Sequence, residues 1–158
     1  MEKIVLKKKP DEYAEIAGKL FLQGYNCSQS VVLTFAEELG LPLEMAAKLS
    51  SSFGGGMGRL REVCGTVSGM FIVAGLLAGY SNPNDYAGKT EHYKRIQELA
   101  QRFRECAGSI ICRELLGLKK DGADSFVPEK RTDEYYKKRP CKELAATSAR
   151  IVAEYFSE

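Results

Sequence analysis

Five cysteines carry most of the chemistry open to this 158-residue chain: Cys27, Cys64, Cys106, Cys112 and Cys141. As a thiolate, cysteine is both a nucleophile and a metal ligand. No two of them form a Cys-x-x-Cys pair, so neither a thioredoxin-type dithiol nor a zinc-knuckle pair is written locally. Cysteines that act together here must be gathered from distant segments. Cys27 follows Asn26, a capping residue; Cys64 follows a glycine-rich loop; Cys141 follows Pro140. These three positions read as helix starts, where unpaired N–H groups and a partial positive charge favour thiolate over thiol. At least one thiol is therefore expected to be more acidic than a free one, first of all Cys141, with Lys138, Arg139 and Lys142 close by. Arg113 can favour the anion at Cys112. The ordinary alternative is that each cysteine is a small buried hydrophobe.

Other chemistry is largely excluded by composition. The single histidine, His92, rules out sites built on two imidazoles, and among charged neighbours it reads as a surface residue of a helix. A net charge of +2 does not suit a general nucleic-acid binder. The run Gly54-Gly55-Gly56-Met57-Gly58-Arg59 invites a phosphate-loop reading, but no strand precedes it and no Gly-Lys-Ser/Thr follows. A tight loop that lets backbone approach Cys64, or offers N–H groups to sulfur, fits better. Lys7-Lys8-Lys9 and Lys137-Lys138-Arg139 read as solvated basic runs, the latter able to lend positive potential to Cys141. Tyr135-Tyr136 reads as packing against the body of the protein.

The elements that must position the cysteines read as helices throughout. Apolar residues at helical spacing mark residues 11–23, then 26–39 from the Asn26 cap to Gly40, and 43–52 from Pro42. Residues 63–77 form an apolar segment with Gly65, Gly69 and Gly75, read as a central buried helix; a buried strand pair at Phe71-Ile72-Val73 competes. Residues 85–116 read as one long amphipathic helix carrying both Cys106 and Cys112. On it the two side chains lie about 120° apart around the axis, so Cys106 is expected to point away from any site that Cys112 serves. Residues 118–131 read as the longest irregular connection, on the surface; 132–134 open a short turn; Pro140 opens the last helix. The expected architecture is all-α, one compact domain over residues 1–158 of five to seven helices, with residues 1–9 a flexible basic arm. No segment reads as a signal peptide, and the most apolar stretch, residues 70–79, is half the length of a membrane span. A soluble, cytoplasmic protein is the expectation.

The ordered set Gly24-Tyr25-Asn26-Cys27-Ser28, Phe53-Gly54-Gly55-Gly56-Met57-Gly58, Cys64-Gly65-Thr66-Val67-Ser68-Gly69, Cys112-Arg113-Glu114-Leu115-Leu116-Gly117 and Cys141 resembles the C-GCAxxG-C-C family, classed as redox-active. The resemblance spans roughly residues 10 to 157. It implies that Cys27, Cys64, Cys112 and Cys141 are the four family cysteines and that Cys106 is extra. At the central motif, Val63 and Gly65 flank Cys64 where the family name reads Gly and Ala. A similar domain accompanies the haem modules of split-Soret cytochromes, where an iron–sulfur cluster is associated with it. No Cys-x-x-Cys-His occurs here, so this chain attaches no c-type haem itself.

The expected function is then a redox-active protein in which Cys27, Cys64, Cys112 and Cys141 act as dithiol/disulfide pairs or as thiolate ligands of a 2Fe–2S iron–sulfur cluster. Gly54, Gly55, Gly56 and Gly65 are the expected backbone side of that site. A structural four-cysteine zinc module is the first alternative, and a helical interaction protein with inert cysteines the second. The expected partner is an electron-transfer or thiol protein, with no nucleic acid, no membrane span, and a homo-oligomer left open.

Overall fold

Caps, prolines and glycines set the helix boundaries. The computed structural model describes residues 3–119 and 121–158. Helix α1 (Pro10–Leu22) opens on a proline, whose missing N–H is no loss in a first turn. Helix α2 (Cys27–Phe35) opens on a complete capping box: Asn26 Oδ1 accepts the Gln29 N–H at 2.9 Å, and Gln29 Oε1 accepts the Asn26 N–H at 3.0 Å. Two capping bonds of this kind stabilise a helix start by about 1 kcal/mol each. Helix α3 (Leu43–Ser50) follows Pro42 and runs into a 3-10 turn, Ser51–Phe53. The next turn, α4 (Gly54–Met57), is irregular, with Gly55 and Gly56 at φ of +70° and +68°. Helix α5 (Gly65–Ala78), α6 (Tyr86–Ala107), α7 (Cys112–Leu115), α8 (Asp133–Lys138) and α9 (Cys141–Ser157) complete the chain.

Among the described residues there is no strand, only an isolated antiparallel bridge between Val63 and Ile111. The all-α expectation holds, and Phe71-Ile72-Val73 lie inside α5. Among the described residues six helices are eight residues or longer, within the expected five to seven; α4, α7 and α8 are shorter. Helix α5 is the centre, apolar on every side, with α2 crossing it at Gly69. A Cβ there would lie 2.9 Å from the Ser28 carbonyl oxygen and 3.0 Å from Val31 Cβ, so only glycine lets the two backbones meet. Helix α9 packs along α1 and also against α2, α5 and α6, enclosing Phe35, Met70, Leu99, Phe103 and Val152. Burying side chains of this size contributes about 1.5–3 kcal/mol each.

One expectation is corrected. The long helix predicted over residues 85–116 stops at Gly108, at φ +93°. The reason is tertiary: residues 110–112 leave the helix to pair with residues 62–64, the Cys64 N–H donating to Ile110 O at 2.7 Å and the Cys112 N–H to Glu62 O at 2.6 Å. The described residues of the segment 118–131 are irregular and mostly exposed, as expected, and its end is tied down. Arg131 donates to the carbonyls of Phe21 and Tyr25, both at 3.0 Å, with its guanidinium 4.0 Å from the Phe21 ring centre. Arg131 thereby anchors the strap, residues 121–131, against the ends of α1 and α2.

At the N-terminus, Met1 and Glu2 lie outside the described residues. The basic arm is tied down along residues 6–8. Leu6 packs against the core, the Lys7 and Lys8 N–H groups donate to the Tyr13 hydroxyl at 3.0 and 3.1 Å, and Lys8 pairs with Glu38. No helix among the described residues is long and apolar enough to cross a membrane.

Candidate functional site

Four of the five cysteines open helices. Cys27, Cys112 and Cys141 are the first residues of α2, α7 and α9, and Cys64 immediately precedes α5. The break at Gly108 is what gives Cys112 a helix start rather than a place near a helix end. These four starts converge on one cavity of about 200 Å³, which all four cysteines line. Cys27, Cys64 and Cys112 are buried and Cys141 is half-buried. Cys106 is exposed on α6 and does not line the cavity. Its separation comes from the helix break, not from a rotation along one continuous helix. All five cysteines are free thiols, and among the described residues no three His, Cys, Asp or Glu side chains are arranged around a single-ion position.

The glycines permit this approach. A Cβ on Gly65 would overlap Cys27 Sγ, and one on Gly54 would lie 2.5 Å from the Asn26 side chain. A Cβ on Gly56 would lie 2.6 Å from Cys112 Cβ and 2.9 Å from Arg61 Cα. In the loop, Gly56 thus presses on Cys112, while Gly65 presses on Cys27; the sequence alone suggested an approach to Cys64. The other half of that expectation holds, because the Gly55 N–H faces the Cys27 sulfur and favours its anion. The loop is also strained: Met57, Arg59 and Arg61 all have left-handed φ, between +60° and +68°. Each such residue costs of order 1 kcal/mol or more and persists only where the surroundings over-determine it.

Each sulfur has different company. Cys64 Sγ lies 3.2 Å from Thr66 Oγ1, which accepts a hydrogen bond from Ser148 Oγ at 3.0 Å, all of it buried. Arg61 Nη1 lies 3.6 Å from Cys112 Sγ, while its Nε donates to Asp124 at 2.9 Å. Arg113, the cation adjacent to Cys112 in sequence, turns away and pairs with Glu62 at 3.1 Å. Near Cys141, Arg139 supplies positive charge and pairs with Glu129, whereas Lys138 pairs with Glu134 on the surface.

Burial overrides the helix-start effect on acidity. Desolvation pushes the Cys64 thiol up to about 12, helped by the charge of Cys27 and opposed by the Thr66 hydroxyl and the first-turn N–H groups of Thr66 and Val67. Cys141 is likewise pushed up to about 12 by burial first, then by Cys27, Cys64 and Cys112, against Arg139. Cys27 is raised for the same leading reason. The expectation of an acidic Cys141 is thus overturned, because desolvation penalises the anion more than the local dipoles and cations favour it.

Sequence reading did not single out Arg61 as a sulfur partner, nor Thr66, Ser148, Arg131 or Tyr135 as parts of the site. Tyr135 lines the cavity, and its hydroxyl is pushed up to about 12 by burial and by the Cys141 charge. No local signal marks these residues, since Arg61 meets Cys112 and Ser148 meets Thr66 across long stretches of chain. Four arginines, Arg59, Arg61, Arg131 and Arg139, line the cavity with one carboxylate, Glu129. His92 stays outside it, on α6 beside Tyr80 and Arg95.

A family model described as "Putative redox-active protein (C_GCAxxG_C_C)" matches residues 25–155, a span that contains every cysteine and all four arginines of the cavity. No curated protein and no solved structure matches the chain.

Proposed function

The chain belongs to the C-GCAxxG-C-C family, and from that premise we propose that it is a redox protein in which Cys27, Cys64, Cys112 and Cys141 hold an iron–sulfur cluster as thiolates. The observation that carries this reading is the single cavity of about 200 Å³ on which four helix starts present four sulfurs. One water takes about 30 Å³, so the cavity suits a group of several atoms, whereas a zinc ion with sulfurs at about 2.3 Å fills the space between its own ligands.

Charge supports the same reading. Among the described residues, the four cavity arginines outnumber the two carboxylates that pair with them, Asp124 and Glu129. Four thiolates around a cationic cluster keep a net negative charge that this excess balances; four neutral thiols or two disulfides carry none. Buried thiols of high pKa also suit a ligand set, because metal binding removes their protons whereas free exchange chemistry needs a standing thiolate. When bound, such a cluster supplies one-electron exchange at a potential set by charge, burial and hydrogen bonds to sulfur. The chain's own part is to hold the sulfurs, wall the cavity with Pro128, Glu129 and Arg131, and aim Gly55 N–H, Thr66 hydroxyl and Arg61 at them. A reducing compartment such as the cytoplasm, and an electron-transfer partner, suit this role.

A dithiol–disulfide cycle is the second reading, favoured by the packing of the Cys27 sulfur against Gly65, the residue that follows Cys64. Anaerobic purification with a visible spectrum, iron and acid-labile sulfide counts, and a thiol count separates the readings. Brown protein holding iron and sulfide is expected. Colourless protein holding zinc, or metal-free protein that loses four thiols on mild oxidation, overturns the cluster.

A further inference from the structure

Arg61 is a buried cation on a strained backbone, and packing alone explains neither. The residue is 5% exposed at a φ of +60°. Burying a charge is costly unless it is paired and hydrogen-bonded. Asp124 meets one side of the guanidinium; the other side meets a sulfur, with Nη1 at 3.6 Å from Cys112 Sγ. Burial works against the charge, and the contacts to Cys112 and Asp124 outweigh it. The backbone is arranged around this contact. The Cys112 N–H donates to Glu62 O at 2.6 Å and the Arg113 N–H to Arg61 O at 3.3 Å, tying the two segments side by side. Gly56 lacks the Cβ that would separate them. Among the described residues Cys112 is the one cavity cysteine whose sulfur takes a hydrogen bond from a charged side chain.

We propose that Arg61 is the positioning residue that sets the reduction potential of the cysteine site, by fixing a positive charge and an N–H on the sulfur of Cys112. This rests on the redox reading of the site but not on which redox group fills it. Reduction of a thiolate-bound cluster adds one electron and one negative charge, with no bond made or broken. Reduction of a disulfide that includes Cys112 adds two electrons, breaks the S–S bond and leaves electron-rich sulfur, or thiol after protonation by water, facing Arg61. A fixed cation and donor at sulfur stabilise the more negative form, so Arg61 raises the potential.

The test compares wild type, Arg61→Gln, Arg61→Lys and Arg113→Gln, each purified anaerobically, counted for iron and sulfide, and titrated with dithionite in the presence of mediator dyes. Arg61→Gln is expected to shift the reduced-to-oxidised ratio at a fixed potential about tenfold toward oxidised, about 59 mV for one electron. Arg61→Lys should recover part of the shift. Arg113→Gln, which removes an equal charge next to Cys112 in sequence but not in contact with its sulfur, should change the ratio by less than about threefold. Asp124→Asn, which leaves the guanidinium less compensated, should shift the ratio the other way and decides the matter if Arg61→Gln does not fold. An Arg61→Gln protein with wild-type iron content and an unmoved potential overturns the proposal, as does an equal shift from Arg113→Gln. Wild-type protein without iron overturns only the cluster. The same variants are then equilibrated with glutathione redox buffers, where the same direction is expected and an unchanged equilibrium constant overturns the role of Arg61.

Discussion

Gly65 and Cys27 approach so closely that Gly65 has room for a hydrogen but not for a methyl group: a Cβ there would overlap the Cys27 sulfur and lie 2.6 Å from the Phe53 carbonyl oxygen. Gly65 is also the first residue of α5, so the contact locks two of the four helix starts together.

Gly65→Ala is therefore expected to destabilise the protein even though alanine is the better helix former. Propensity alone would add up to about 1 kcal/mol; displacing a buried sulfur and a backbone carbonyl should cost about 1–3 kcal/mol. Urea denaturation of the reduced protein checks the sign. A gain in stability would mean that the two helix starts can separate freely.

Thr66→Val is close in shape but removes the hydroxyl between Cys64 and Ser148. Ser148 Oγ then loses its buried acceptor, a loss of about 1–3 kcal/mol. The Cys64 anion loses a stabilising donor as well, so the spectrum and metal content of the loaded protein should change more than in Ser148→Ala, which leaves the Thr66–Cys64 contact in place. Equal effects from the two variants would show that the hydroxyl does not act on sulfur.

The reduced, metal-free protein should lose stability as pH rises above the ordinary thiol range. Cys64 and Cys141 are held up to about 12 in the folded state, against about 8.5 for a free thiol. Between those values the folded chain binds more protons than the unfolded one. Stability then falls by up to about 1.4 kcal/mol per pH unit per thiol, and below that window these thiols contribute no pH dependence. Denaturation curves from pH 8 to pH 10.5 should show this slope, and Cys64→Ser/Cys141→Ser should flatten it. Parallel curves for the two proteins would contradict neutral buried thiols.

Cys106→Ser should leave stability within about 0.5 kcal/mol of wild type, since Cys106 is exposed and does not line the cavity. Metal content and the reactivity of the other thiols should be unchanged. Loss of either would place Cys106 in the site.

Arg131→Ala removes two hydrogen bonds to carbonyls and the guanidinium stacked on Phe21, expected to cost about 1–3 kcal/mol. The effect should be local first. Hydrogen exchange across residues 121–131 should rise before that of α5, and alkylation of Cys141 should speed up more than that of Cys64. Uniform change across the chain would mean that the strap is not a separate cover.

Much of this was legible locally. Asn26 with Gln29 dictates the start of α2, Pro10 and Pro140 the starts of α1 and α9, and the apolar periodicity the all-helical class. These signals work through bonds and dihedrals within a few residues, so one stretch of chain carries them. The order of the cysteines and glycines carried the family resemblance in the same way. What one stretch cannot carry is a choice between two acceptable local structures. Residues 108–116 continue the amphipathic pattern of α6, and a single glycine costs only about 1 kcal/mol in a helix. The break at Gly108 is decided by hydrogen bonds to residues 62–64, far away in the chain, and it is this break that turns Cys112 into the fourth helix start. The acidity of the thiols escaped local reading for a related reason. Helix dipoles and neighbouring cations can be counted along the sequence, but desolvation depends on how completely α2, α5, α9 and residues 128–131 close over the sulfurs. The placement of Arg61 follows from the same closure, since its partner sulfur reaches it only after the loop and the start of α7 are side by side.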